Sequence, residues 1–378
     1  MTEQRWLRIL SISFVMYTIA YIDRTNVSMA LPAMSAELHM DPRQAGDAVG
    51  VFFWGYLLLQ MPAGYLAQHW SAKRVVGILL VAHWFPRAER ARANAYWMLC
   101  LPLSVVISSP LSGWLLTHWN WRVLLVVEGA LPFLWLLIWL RTIDDFPKKA
   151  KWISAGELQY LERTLAAEAA DSKPQERVSY LAALLSPQVL ILTAIYFLRN
   201  FGSYGSLFWL PTALNNTRKL SDLTLGNIIT IPYVLAAILM VAAAKSSDRT
   251  GERRAHMSLT LIVSGVSFLA ALATQRFPFV SFTLISLAVA AVYASLGPFW
   301  ALPTETLPLK VVATAMGLIN AIGNLGGYFG PVVVGHFLKQ SGGFVYGFGS
   351  LGIALIIAAA MAFMLRPAQP AVAATVSC

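Results

Sequence analysis

Arg8-Ile-Leu-Ser-Ile-Ser-Phe-Val-Met-Tyr-Thr-Ile-Ala-Tyr-Ile-Asp-Arg-Thr-Asn-Val-Ser-Met-Ala-Leu-Pro32 is the stretch that decides the fold. At 1.5 Å per residue it is long enough to cross a hydrocarbon core of about 30 Å. Asp23 and Arg24 nevertheless sit inside it. A charge at that depth costs roughly 2.5–3.5 kcal/mol on insertion scales, so it normally faces a cavity and marks an ion or substrate path. The basic start followed by an apolar run resembles a signal peptide. The run is too long and is interrupted by two charges, which predicts an uncleaved first membrane helix.

The rest of the chain repeats this character. Of 378 residues, 57% are hydrophobic and only 12% charged; a soluble domain carries about 25% charged residues. Apolar runs fall at about 9–34, 46–68, 94–117, 122–141, 187–212, 226–244, 256–275, 278–302, 311–338 and 343–365. They predict an all-α membrane protein with about ten complete spans. The alternating ten-residue strands of a membrane barrel are missing. Val75 to Phe85 is apolar but too short to cross. The net charge of +10 lies largely in loops, where it orients the protein, so nucleic acid is not expected as a partner. Lys73, Arg74, Arg87, Arg90 and Arg92 fill one loop, and Lys245, Arg249, Arg253 and Arg254 another. The positive-inside rule places these loops and both termini in the cytoplasm. Cys100 and Cys378, and histidines without ligand spacing, imply no disulfide, metal or cofactor.

Residues 142–186 are polar and charged, and Ser154 followed by Glu157 forms a capping-box start for a short surface helix. The segment divides the chain into an N-terminal helical half, 1–141, a cytoplasmic linker, 142–186, a six-helix half, 187–368, and a tail, 369–378. The halves echo each other. Gly64-Tyr-Leu-Ala-Gln-His-Trp-Ser-Ala-Lys-Arg74 follows the second span, and Ala244-Lys-Ser-Ser-Asp-Arg-Thr-Gly-Glu-Arg-Arg254 follows the sixth. In the second copy, Asp248 is placed to meet Arg249, Arg253 or Arg254, and Gly251 permits a tight turn. Ser109-Pro110-Leu-Ser-Gly113 and Gly330-Pro331-Val-Val-Val-Gly335 form a second echo. The distance from turn to Pro motif is about 40 residues shorter in the first half, close to two spans of about 20. The first half therefore lacks about two helices that the second half has.

With Tyr21-Ile-Asp-Arg-Thr-Asn26, the two basic turns, Trp84-Phe-Pro-Arg-Ala-Glu-Arg-Ala-Arg92, Pro298-Phe-Trp-Ala-Leu-Pro303 and Gly317-Leu-Ile-Asn-Ala-Ile-Gly-Asn-Leu-Gly-Gly327, the chain resembles the major facilitator superfamily, in its anion:cation symporter family. The resemblance implies a two-half helical bundle with ten complete helices here instead of twelve. It also implies proton-coupled symport of sugar acids, tartrate-like hydroxy acids or other small organic anions. Relatives have the end of helix 3 and all of helix 4 between Val81 and Ala82, and in the family helix 4 carries an arginine for the substrate and a carboxylate for coupling. Neither has a counterpart here, and Gln68 replaces the carboxylate of the first turn.

The candidate residues follow from depth and chemistry. Asp23 is placed to take a proton and Arg24 to meet an anion; the alternative is a structural ion pair. Glu128, mid-span, is a second protonation site or a helix contact. Arg199 and Asn200 are deep in the fifth span, where a guanidinium suits a carboxylate or caps a break near Gly202 and Gly205. Tyr21, Asn320, Asn324 and Trp300 are substrate contacts or helix packing. Gly64, Lys73, Arg74, Asp248, Arg249, Gly251, Arg253 and Arg254 belong to conformational gating. The expected partners are an organic anion, protons and the lipid bilayer of a bacterial inner membrane, with the chain a monomer. A truncated, non-transporting membrane protein remains the alternative reading, and an enzyme is not expected.

Overall fold

The computed structural model describes residues 4–58, 84–86, 97–144, 146–150, 152–170, 186–218, 220–307 and 309–365. The described residues are helical, and no strand occurs among them. After a π-helical turn at Trp6–Leu10, the helices are α1 (Ser11–Glu37), α2 (Pro42–Gly50), α3 (Cys100–His118), α4 (Trp121–Thr142) and α5 (Ala155–Ala170). They continue as α6 (Pro187–Arg218), α7 (Asp222–Thr250), α8 (Arg253–Ala273), α9 (Pro278–Ala294), α10 (Leu296–Thr306), α11 (Leu309–Gly323), α12 (Gly326–Ser341) and α13 (Val345–Ala362). Among the described residues, eight stretches are long and apolar enough to cross a membrane, each matching one expected span. Of the two spans outside that group, α6 has 32 residues but spends its inward face on Arg199, Asn200, Ser203 and Ser206. The span expected at 46–68 runs beyond the described residues. Gly64, Gln68, Lys73, Arg74 and the Val81–Ala82 junction also lie outside them.

The helix starts and stops obey local chemistry. Asp41 caps α2 in a full capping box with Gln44, and Pro42 fills its first turn. Asn120 caps α4 and Ser221 caps α7. Gly251, at φ 72°, closes α7 in the left-handed conformation that the basic turn needed. Ser154 accepts from the Glu157 amide, as the sequence predicts for α5. The Glu157 carboxylate, however, does not return to the cap. It accepts from the Gln4 and Arg5 amides and the Arg5 guanidinium, an ion pair almost wholly buried.

That pair marks one end of the bundle, here the linker side. Ile9, Trp84, Phe85, Trp97, Trp139, Ile143 and Leu161 form a satellite core there. Trp84 stacks on Trp152 at 5.0 Å and donates its indole N–H to the Asp144 carbonyl at 2.9 Å. Trp84 and Phe85, in the short apolar run, therefore pack with the N-terminus and the linker. At the opposite end, the far side, Arg122 pairs with Glu37 at 2.7 Å and Lys339 with Asp41 at 2.8 Å.

The halves touch along two seams toward the far side. In one, α3 meets α7: a Cβ on Gly113 would lie 2.5 Å from the Asp222 carbonyl oxygen, and one on Gly226 would strike the Ser109 carbonyl. In the other, α2 meets α12: a Cβ on Gly46 would lie 2.7 Å from the Pro331 carbonyl oxygen, and one on Gly335 would strike the Pro42 carbonyl. Small residues let backbones approach this closely, and lipid offers no hydrophobic drive to replace the packing. The two sequence echoes around Pro110 and Pro331 thus supply the inter-half contact surface. Gly226→Ala is expected to force α3 and α7 apart, since overpacking costs about 1–3 kcal/mol. In a background lacking the native cysteines, a cysteine at the buried Met29 should then react faster with an impermeant maleimide. An unchanged labelling rate would mean that the seam does not seal.

Candidate functional site

Tyr21 stands 15 residues beyond Trp6, where the first helical segment starts, and Tyr204 stands 17 beyond the start of α6 at Pro187, climbs of about 23 and 25 Å from the linker side. They meet there, one from each half, with hydroxyls 3.0 Å apart. Arg24 donates from Nη1 to the Tyr204 hydroxyl at 2.8 Å. Its guanidinium carbon lies 4.8 Å from the Phe52 ring centre, 5.0 Å from Tyr56 and 5.3 Å from Tyr21. Phe53 packs edge-on against Tyr204 at 4.7 Å. No carboxylate among the described residues pairs with Arg24. A cation held by ring faces and one hydroxyl keeps its remaining N–H donors for a ligand, and π faces hold it by about 0.5–2 kcal/mol without neutralising it.

The two acidic residues lie on neighbouring helices of the first half. Asp23 is exposed and its carboxylate lies near α4, where a Cβ on Gly129 would be 3.6 Å from Oδ1. Glu128, the residue before Gly129, is fully buried. Ser112 of α3 donates to its Oε1 at 2.7 Å, while Oε2 has no hydrogen-bond partner. A buried carboxyl oxygen left without a donor is costly unless another group reaches it.

Arg199 stands apart from Arg24. It is buried, donates to Asn200 Oδ1 at 2.8 Å and to the Val292 carbonyl at 3.2 Å, and lies 5.8 Å from the Tyr293 ring centre. Its Nε has no partner. Asn200 in turn donates to the Gly323 carbonyl at 3.2 Å. These contacts tie α6 to α9 and α11, and none of them is the cap near Gly202 and Gly205 that the sequence offered as the alternative. Asn324 donates to the Asn320 carbonyl and side chain on its own helix turn. Asn320 reaches across the halves to the Tyr56 hydroxyl at 3.4 Å. Trp300 packs edge-on against Tyr196 and Phe299.

The second basic turn is a charge cluster with Arg253 at its centre. Arg253 pairs with Asp248 and, at 3.0 Å, with Glu305, joining the ends of α7, α8 and α10. Arg254 donates to the Phe363 carbonyl. On the far side the Lys339 ammonium holds the Asp41 carboxyl below the usual carboxylate range. That inter-half contact is complete at neutral pH and is lost as the pH falls through the lowered value. Sequence reasoning missed Tyr204 and Phe52, whose only signal was an aromatic at helical spacing from a polar residue; Tyr56 was a weaker candidate beside interface packing.

Comparisons with known proteins agree with this architecture. The family model described as Major Facilitator Superfamily matches residues 13–82, 75–226 and 192–377. An Agrobacterium vitis protein named as a tartrate transporter is 29% identical, covering 96% of this chain and 94% of its own length. A Bacillus subtilis (strain 168) protein named for galactarate and D-glucarate transport is 24% identical over 91% of this chain and 88% of its own. The solved proton:xylose symporter XylE superposes with a TM-score of 0.74 at 14% identity, covering 97% of each chain. The tartrate alignment runs to 414 positions while taking in 96% of a 378-residue chain. About fifty of its positions are therefore filled by the relative alone, enough for two spans of about 20 residues.

Proposed function

The chain belongs to the major facilitator superfamily, among its organic-anion and sugar-acid permeases, and from that premise we propose a proton-coupled symporter of sugar acids or tartrate-like hydroxy acids. The coarser statement, a multi-pass secondary transporter of a small molecule, comes with the family. The single observation that carries the finer one is Arg24. It is a membrane-depth guanidinium between the halves, held by rings and the Tyr204 hydroxyl, with no carboxylate partner among the described residues.

In this reading the substrate carboxylate takes the place of the Tyr204 hydroxyl on Arg24, a charge-assisted bond stronger than the neutral one. Asp23 is the coupling carboxylate and Glu128 a second proton site. Tyr21, Asn320, Asn324, Trp300, Arg199 and Asn200 complete the surroundings. The halves, 1–141 and 187–368, rock about this midplane site while the linker 142–186 tethers them on the cytoplasmic side of a bacterial inner membrane. The cluster of Asp248, Arg249, Gly251, Arg253 and Arg254, with the turn carrying Gly64, Lys73 and Arg74, gates that side.

The test is reconstitution in liposomes with an imposed pH gradient and a panel of tartrate, galactarate, D-glucarate and D-gluconate. Uptake of one of them that collapses with a protonophore supports the proposal. A chain with the two helices restored, tested beside it, separates a wrong substrate from a disabled transporter. Activity in the restored form alone would favour the non-transporting reading of the chain as it stands.

A further inference from the structure

Tyr204 ties the second half to two groups of the first. Its hydroxyl lies 3.0 Å from that of Tyr21 and accepts from Arg24 Nη1 at 2.8 Å. A tyrosine hydroxyl has one donor and two acceptor positions, so a single oxygen serves both bonds. The ring is held in place: Tyr204 is 5% exposed, packs edge-on against Phe53 at 4.7 Å and stacks on Phe208 at 6.2 Å. The opposite half therefore fixes a neutral acceptor beside the Arg24 guanidinium. Phe52 and Tyr56 offer ring faces to the same cation but accept no conventional hydrogen bond from it. A neutral acceptor on a guanidinium is weaker than a carboxylate in the same place.

A carrier that accumulates a solute must also reorient with nothing bound. As the halves close in that step, the guanidinium between them loses water, and a charged donor left without an acceptor is costly. Resting on the reading of Arg24 as the cation that meets the anion, we propose that the Tyr204 hydroxyl is the stand-in ligand of the empty carrier. It occupies the place of the substrate carboxylate on Arg24, and it comes from the opposite half, so the halves close without substrate. The anion displaces it on binding because a charged acceptor makes the stronger bond. The hydroxyl thus competes with the substrate, lowering its affinity while speeding the return step. A hydroxyl that only contacted the substrate would raise affinity instead.

Tyr204→Phe separates the two roles, because the ring packing is kept and only the hydroxyl is removed. Tartrate, galactarate and D-glucarate are titrated calorimetrically into the purified full-length chain, a measurement that needs no transport. The variant should bind its anion about tenfold more tightly, the worth of one hydrogen bond to a charged group. In an Arg24→Ala background the same substitution should no longer tighten binding, since the two groups act through one bond. In liposomes, exchange of labelled for unlabelled anion should saturate at a lower concentration in Tyr204→Phe, while net accumulation driven by a pH gradient slows by about tenfold or more. Unchanged or weaker binding in Tyr204→Phe, or exchange and net accumulation slowed alike, would overturn the stand-in role and leave Arg24 as the substrate cation. Arg24→Ala with undiminished affinity would instead remove Arg24 from the substrate site, and the stand-in role with it. So would an absence of binding at millimolar concentration in both the wild-type chain and Tyr204→Phe when each melts cooperatively.

Discussion

Replacing Arg24 by alanine is expected to lower the apparent affinity for the transported anion by about ten- to 150-fold. A hydrogen bond to a charged partner contributes about 1.5–3 kcal/mol, and the described residues around Tyr21 and Tyr204 offer no second cation in contact with those hydroxyls. Arg199 does not contact the Tyr21–Tyr204 pair, its two Nη groups being bonded to Asn200 and the Val292 carbonyl. Arg24→Lys should recover only part of the loss: the charge survives but the planar fork and its stacking on Phe52 and Tyr56 do not. Initial rates of uptake against substrate concentration in liposomes read the change as KM. A KM within twofold of wild type for Arg24→Ala would remove Arg24 from the substrate site.

Asp23→Asn should abolish accumulation driven by a pH gradient while leaving substrate exchange across the membrane intact. The amide copies the neutral acid, so the halves can still close on substrate, but no proton is carried. Glu128→Gln is the necessary companion. Ser112 can still donate to the amide oxygen, so the α3–α4 contact at 2.7 Å persists and only the titration is lost. If Asp23 alone couples, Glu128→Gln accumulates substrate normally; if the two share the proton, both variants exchange without accumulating. Retained pH-driven accumulation in Asp23→Asn would end its assignment as the coupling group.

The fold was legible because bilayer physics writes it in composition: apolar runs of fixed length, basic loops and a polar tether. Asp23 and Arg24 were legible for the same reason, since membrane-depth charge is expensive. Tyr204 was not, because its meaning comes from a contact 180 residues away that pairs two helices at equal height. Arg199 illustrates the reverse. Its depth was legible, while its bond to the Val292 carbonyl, 93 residues away, is invisible to spacing. Glu157 was read as a capping residue, and its amide does bond Ser154, but its carboxylate serves the N-terminus. The nearness of Asp23 to Gly129 depends on how α1 and α4 cross, which no local pattern encodes.

The Gly and Ser seams carry a consequence for kinetics. Where Gly113 and Gly226 lie backbone against backbone, there are no rotamers through which a contact can yield by degrees. Rows of atoms without side chains part together or not at all, since packed interfaces are bistable rather than continuously deformable. Opening should therefore be all-or-none along each seam. Reporter groups placed at several heights on α3 and α7 should share one relaxation rate, with no position leading the others.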